Sequence, residues 1–414
     1  MKKIKYTACI LILSLLVTAC NKRSVMNDMW MPKEAVSQIE ESGENKTQNK
    51  TESSGENKTE NSGENKTEGS SENKTENSGE NKTEDSSENK TENSGENKTE
   101  DSNENTSQEQ TQPPVQTGIK PLKVTGTKIT DYDGNVVQLR GVSTHGLSWF
   151  PGYVNKEAFT QFKNEWGCNV IRLAMYTAEY NGYCTGDENN KQNLKNLIDN
   201  GVNYATELGM YVIIDWHILN DCNPHTYKEE SKRFFAEMSA KYKDHTNVIY
   251  EICNEPNGGT SWWDVKSYAE EVIPVIRAND PDAIIIVGTP TWSQDVDHVV
   301  NNRVNDPNVV YALHFYAATH TDWIRNKLQT ALNNGIPVIV SEFSICDASG
   351  NGAINYNEAS KWIDMIKQND MGYIMWNLSN KGETSAFFNS WCQKTSGFTM
   401  EDLSETAKWF LTVR

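Results

Sequence analysis

Eight short apolar runs, most of them separated by longer amphipathic stretches, occupy residues 136–379, and that alternation limits what the chain can become. The runs are 136–145, CNVIRLAMY (168–176), MYVIIDWHI (210–218), NVIYEICNE (247–255), AIIIVGTP (283–290), VVYALHFYA (309–317), PVIVSEFS (337–344) and YIMWNLS (373–379). They are nearly continuous in hydrophobicity, as strands covered on both faces are. Helical patterns lie at 156–166, 190–208, 226–243, 262–279, 322–334 and 355–369. Strands alternating with helices build a parallel sheet, and eight such units in roughly 290 residues match a closed (β/α)8 TIM barrel. A doubly wound open sheet shares the alternation, but no glycine-rich phosphate loop follows the first strand. The expected fold class is therefore α/β, a (β/α)8 barrel. Ahead of it, KVTGTKITDYDGNVVQLRG (123–141) reads as a hairpin turning at Asp133-Gly134.

Upstream of residue 119 nothing can build a core. Lys2, Lys3 and Lys5 precede the apolar stretch ACILILSLLV, too short for a comfortable membrane span, and VTAC follows with small residues before Cys20. This pattern resembles a bacterial lipobox and predicts a signal peptide over 1–19, with lipid attached to Cys20. Residues 20–118 carry octapeptide repeats of the type ENKTE(N/D)S(G/S), with ENKT starting at 56, 64, 72, 80, 88 and 96. No unit holds an apolar residue, so no face can be buried and the segment reads as a disordered tether. The organisation is thus 1–19 signal, 20–118 linker and 119–414 folded domain. The expected location is the cell envelope, on the cell surface or the secreted face of a membrane.

Charge narrows the partners. Residues 1–118 carry 22 acidic and 14 basic residues and residues 119–414 carry 35 and 25, so both parts are acidic. That excludes a polyanion such as nucleic acid and fits a neutral or cationic partner. Nearly all of the 12 tryptophans follow residue 145, a composition common among carbohydrate binders. Six cysteines remain in the domain. Cys184 with Cys222, and Cys346 with Cys392, follow adjacent strands and could form disulfides or stay free, whereas Cys168 and Cys253 read as buried thiols.

Polar and aromatic residues gather where each strand ends. His145 and Trp149 follow the first strand, Arg172 and Tyr176 lie on the second, His217 on the third, and Asn254 and Glu255 on the fourth. Trp292 follows the fifth, His314 and Tyr316 lie on the sixth, Glu342 on the seventh and Trp376 on the eighth. Barrel active sites occupy that rim, so the ring predicts an enzyme. His217 and His314 could instead be metal ligands, but no third ligand accompanies them.

NEP (254–256) with SEF (341–343), together with RGVSTHG, IRLAMY, DWHIL, LHFYA and WNLSNKGE in order, resembles glycoside hydrolase family five of clan A, and within it the bacterial endo-β-1,4-glucanases. The resemblance spans about residues 119–412. It implies Glu255 as proton donor and base and Glu342 as nucleophile. It places Arg172, His217, Asn254, His314, Tyr316 and Trp376 around the cleaved sugar, and Tyr176 of the same rim is expected to bind substrate as well. It puts His145, Trp149, Ala348, Lys381 and Glu383 along the next glucose, and Trp292 on the leaving-group side. Phe343 departs from the tryptophan that much of this group has there. No cofactor and no metal is implied, the partner is a β-glucan, and the domain reads as a monomer.

The physics of the pair agrees with those roles. Retaining hydrolysis needs one protonated and one ionised carboxyl about 5–5.5 Å apart. Arg172 is the expected cation to hold the pKa of Glu342 down, and the charge of Glu342 should raise that of Glu255. Glu251 shares strand parity with Glu255 but should lie ~13 Å deeper at ~3.3 Å per residue, as a buried structural carboxylate. Mixed-linkage glucan, xyloglucan or mannan would suit the same mechanism. A non-catalytic surface glycan-binding lipoprotein is the rival from another class, and it has no need of both carboxylates.

Overall fold

The computed structural model describes residues 118–413. The expected signal peptide, Cys20 and the repeats lie outside the described residues. An antiparallel pair comes first, β1 (Leu122–Thr125) and β2 (Lys128–Asp131). The barrel strands are β3 (Arg140–Thr144), β4 (Val170–Tyr176), β5 (Tyr211–His217), β6 (Val248–Glu251), β7 (Ile285–Val287), β8 (Val309–Tyr316), β9 (Val338–Ser344) and β10 (Tyr373–Leu378). All pair in parallel and close in the order β10-β3-β4-β5-β6-β7-β8-β9. The helices are α1 (Lys156–Asn164), α2 (Glu188–Glu207), α3 (Lys228–Tyr242), α4 (Trp262–Arg277), a single turn α5 (Pro290–Ser293), α6 (Asp322–Asn333), α7 (Tyr356–Gln368) and α8 (Glu405–Thr412).

Helix starts follow local chemistry. Asn155, Asp187, Asn355 and Ser404 each accept a backbone N–H of the first turn, and Ser261 with Asp264 forms a reciprocal capping box. The six expected helices therefore appear within a few residues of their predicted bounds. The fifth and eighth units had no helical pattern; the first of these holds one turn and the second the late α8.

Strand parity sorts the barrel into layers. Ile171, Leu173 and Met175 face outward into the shell packed against the helices, with Val212, Ile214 and Trp216 beside them. The opposite parity fills the lumen. At its floor Val170, Ile213, Ile249, Ile286, Val310, Ile339 and Ile374 pack with Leu122 and Ile129 of the hairpin, which closes the N-terminal end. Above that floor the lumen turns polar with Arg172, Asp215 and Glu251, all fully buried. The rim residues come last.

Two expectations need correction. The hairpin turns at Gly126-Thr127, with Gly126 in the left-handed conformation a tight turn requires (φ 62°). Asp133-Gly134 makes a second turn that closes only the Thr130–Val136 bridge, and the first barrel strand starts at Arg140 rather than 136. The fourth strand ends at Glu251; Ile252 N–H still donates to Ile286 O of β7, while Asn254 N–H and Glu255 N–H donate to the carbonyls of Trp216 on β5 and Ile218 just after it. Of the two alternatives left open for the cysteines the second holds, since none of the six among the described residues forms a disulfide, and Cys168 and Cys253 are buried as expected. Cys346 and Cys392 each face their own oxygen, Ser344 Oγ at 3.5 Å and Asp402 Oδ1 at 3.7 Å, rather than each other.

Candidate active site

Arg172 is the hub of the polar layer. Parallel pairing sets Arg172 beside Ser143 and Ile213, and Asp215 beside Glu251, so inward side chains converge at one height. Its Nε donates to Glu251 Oε2 (2.7 Å), one terminal nitrogen to Glu342 Oε2 (3.3 Å), and the other to Asn254 Oδ1 (2.6 Å), with Asp215 Oδ2 forming an ion pair with that nitrogen at 3.0 Å. A planar fork with fixed donor directions suits this divided task better than a lysine would.

Four carboxylates surround that single guanidinium, and three neutral histidines add no charge. They cannot all ionise. Burial pushes Asp215 up to about 7, against the pull of Arg172. Burial also raises Glu255 to about 8, with Arg172 opposing and Asp215 and Glu251 adding. Glu342 rises to about 7, again chiefly through burial and then through Glu255, while His314, Arg172 and Tyr316 hold it back. Arg172 therefore lowers the nucleophile candidate as expected but does not outweigh desolvation. Glu255 owes its shift to burial first rather than to its partner's charge.

The two rim carboxylates face each other closely. Glu255, His314 and Glu342 each offer an atom, all within 4.8 Å of one another. His314 Nδ1 lies 3.0 Å from Glu255 Oε1, and the Tyr316 hydroxyl donates to Glu342 Oε1 at 2.9 Å. Glu255 keeps 12 % side-chain exposure and Glu342 5 %, so both reach the mouth, whereas Glu251 has none. Every ring nitrogen of His217 and His314 already has a hydrogen-bond partner: Asp215 and Asn254 for one, Glu255 and Ser341 for the other. Both rings are therefore held in one hydrogen-bonded network with the carboxyls of the lumen.

Aromatic walls complete the mouth. Trp376 stacks on His217 (centroids 5.3 Å, 15°), and Tyr176 approaches the same ring at 4.0 Å. His145 lies among Trp149, Phe150, Tyr176 and Trp376. Gly146 permits that crowding, since a Cβ there would meet the rings of Trp149 and Tyr176 at 2.6–2.9 Å. Trp292 sits on α5, where Thr291, Trp292 and Ser293 are all left-handed (φ 54–56°), a strained backbone for residues with a Cβ. Two bonds tie this turn to the Asn254–Pro256 segment: Trp292 N–H donates to Pro256 O (3.0 Å) and Ser293 Oγ to Asn254 O (2.6 Å). Lys381 pairs with Glu383 at 2.7 Å, and Glu383 in turn accepts from Asn377 and Ser385. Ala348 is exposed on the loop after β9, where its N–H donates to Thr319 Oγ1 at 2.9 Å.

Three network members lay outside the predicted ring. Asp215 was legible as an acid two residues before His217, hence on the same inward face. Ser341 was not, because strict alternation turns it away if Glu342 faces in. The β8–β9 register shifts between Ala312–Ile339 and His314–Glu342, which lets both neighbours face the lumen. Glu251 is buried with polar partners, as expected, and its carboxylate approaches the same imidazole as that of Glu255. His314 touches both, at 3.0 Å to Glu255 and 3.9 Å to Glu251, because the chain bends after β6.

The chain is similar to known proteins in sequence and fold. The family described as Cellulase (glycosyl hydrolase family 5) matches residues 130–382. Endoglucanase A of Butyrivibrio fibrisolvens is 53 % identical over 291 residues, covering 70 % of this chain and 67 % of that protein. An endoglucanase of Clostridium saccharobutylicum is 47 % identical over 284 residues, covering 68 % and 62 %. The chain thus spans about two thirds of the length of these curated relatives. Among solved structures, the catalytic domain of Thermobifida fusca endoglucanase Cel5A in complex with cellotetraose superposes with a TM-score of 0.66 at 39 % identity, over 70 % of this chain and 96 % of that one.

Proposed function

Since the chain belongs to the cellulase family, glycosyl hydrolase family 5, we propose that its barrel is a retaining endo-β-1,4-glucanase acting on internal bonds of cellulose and related β-glucans. The observation that carries this reading is the Glu255–Glu342 pair, with oxygens within 4.8 Å of each other across the mouth. That gap is near the ~5–5.5 Å of retaining enzymes and well short of the ~6.5–9.5 Å that leaves room for an inverting water. Glu342 attacks the anomeric carbon, and Glu255 gives its proton to the departing glycosidic oxygen. The glycosyl-enzyme ester neutralises Glu342 and removes its repulsion on Glu255. Glu255 then takes a proton from water, which attacks the same carbon and restores the β configuration.

The shared environment suits these roles. Burial raises both carboxyls and the charge of Glu255 raises Glu342 further, so the pair keeps one proton near neutral pH, while His314, Arg172 and the Tyr316 hydroxyl favour the ionised form at Glu342. Tyr316 and Arg172 orient Glu342, and Asn254 lies against both Arg172 and His217, where it could meet a 2-hydroxyl. Trp149, Trp292 and Trp376 offer ring faces for sugar C–H surfaces, with His145, Tyr176, Lys381 and Glu383 along the adjoining glucose. A glycan-binding lipoprotein without activity would gain nothing from two raised, mutually repelling carboxylates. Reducing-sugar release from carboxymethyl cellulose, mixed-linkage glucan, xyloglucan and mannan tests the assignment, with proton NMR of the first-formed anomer. We expect cleavage of β-1,4-glucan with β product first; an α product first, or activity confined to mannan, would sink it.

We further propose that Cys20 carries lipid and that residues 20–118 tether the barrel to a membrane in the cell envelope. The support is the basic, apolar and small-residue order ending at Cys20, and the apolar-free repeat. No helix among the described residues is long and apolar enough to cross a membrane. Cys20→Ser should move the full chain from the detergent-soluble membrane fraction to the soluble fraction, with activity on soluble glucan retained. Persistence in membranes would refute the lipid.

A further inference from the structure

We propose that Glu251, acting through Ser341, fixes the tautomer of His314 and so keeps Glu255 loaded with the proton it must deliver. This rests on the reading of Glu255 as the acid. Proton counting along the chain of contacts carries it. Glu251 lies at the fully buried level, with Arg172 Nε on Oε2 at 2.7 Å and the Ser341 hydroxyl on Oε1 at 2.7 Å. Serine has one proton, and it points at Glu251, so the Ser341 oxygen can only accept from its other neighbour, His314 Nε2, at 2.9 Å. Nε2 must then carry hydrogen. Burial holds the His314 pKa down to about 4, so the ring is neutral and Nδ1 has a bare lone pair. Glu255 Oε1 stands 3.0 Å from that lone pair, a contact that favours the protonated carboxyl.

The reverse arrangement is the competitor. If the group at 251 donated to Ser341, the hydroxyl would turn to His314 Nε2, and Nδ1–H would then donate to an ionised Glu255. Burial and the charge of Asp215 raise the pKa of Glu251, but Arg172 Nε on its other oxygen at 2.7 Å opposes them and favours the acceptor-only carboxylate. The charged and titratable groups facing Glu251 are Arg172, Asp215, His314 and Cys253; those facing Glu255 are His314, Glu342, Arg172, Asp215, Glu251, Tyr176 and Tyr316. Glu251 is thus a positioning residue and never touches substrate.

The test compares kcat/KM against pH for the wild type, Glu251→Gln and Ser341→Ala on a soluble β-glucan. Wild-type activity should fall below about 7 as Glu342 gains a proton and above about 8 as Glu255 loses one. Both variants should move the alkaline limb to lower pH by on the order of one unit, a roughly tenfold loss on that side, because the flipped ring stabilises ionised Glu255. Glu251→Gln also removes a charge, which acts in the same direction. Ser341→Ala keeps that charge and breaks only the relay, leaving Nε2 3.9 Å from Glu251, beyond hydrogen-bond reach. A merely structural role would lower Tm and leave the limb in place. An unshifted limb in Ser341→Ala overturns the proposal. So does a nitrogen NMR spectrum of the wild type with the His314 proton on Nδ1, a reading that needs no variant and no turnover. Failure of the wild type to cleave any β-glucan would instead refute the functional assignment.

Discussion

Glu342→Ala should lower kcat on β-1,4-glucan by roughly 10⁵-fold, about 7 kcal/mol of transition-state stabilisation, while the protein stays folded. The size follows from the lack of a substitute. Glu255 must act as acid, and Glu251 and Asp215 lie at the fully buried level below the mouth. What remains is a small anion-sized space beside the Tyr316 hydroxyl and an Arg172 terminal nitrogen, which lay 2.9 Å and 3.3 Å from the missing carboxylate. Added azide should enter it and attack an aryl cellobioside with an activated leaving group, giving the inverted α-glycosyl azide. Glu255→Ala should behave differently. Its loss should be large on glucan, where the leaving group needs a proton, and small for the first step with the activated glycoside. Azide there should trap the glycosyl-enzyme as the β-glycosyl azide. Exchange of the two stereochemical outcomes would reverse the assigned roles.

Arg172→Met should destabilise the barrel by about 3–5 kcal/mol, the cost of removing one partner from a buried ionic cluster. Asp215, Glu251 and Glu342 would face one another with no cation between them. The loss should depend on pH, and its sign can be worked out. Without the guanidinium these carboxyls hold their protons more firmly in the folded protein than in the unfolded chain, where they ionise near 4. The folded state then binds more protons, and its stability falls as pH rises from 4 through the raised folded values. Urea unfolding should therefore show a smaller deficit at pH 5 than at pH 8. An equal deficit at both, or one below about 1 kcal/mol, would show that Arg172 is not the counter-ion of this layer.

Much of this molecule was written along the chain. Apolar runs and their spacing specified eight strands, and side-chain caps such as Asn155, Asp187 and Ser261 placed the helix starts. Parity put Arg172, Tyr176 and His217 on inward faces, and the strand ends carried Glu255 and Glu342 to one rim. These features depend on neighbours a few residues away, so a linear pattern can hold them. Other features arise only when distant strands meet. Beyond β6, Asn254 and Glu255 find carbonyls on and just after β5, which brings Glu251 and Glu255 to opposite sides of one imidazole. A register slip in β9 turns Ser341 inward beside Glu342, against the alternation that sequence implies. Whether cysteines pair depends on where loops of separate strands come to rest, and none of those among the described residues forms a disulfide. The proton on Glu255 is likewise a property of the assembled lumen. Burial, one shared cation and the direction of a serine hydroxyl set it together, and none of the three exists until the barrel closes.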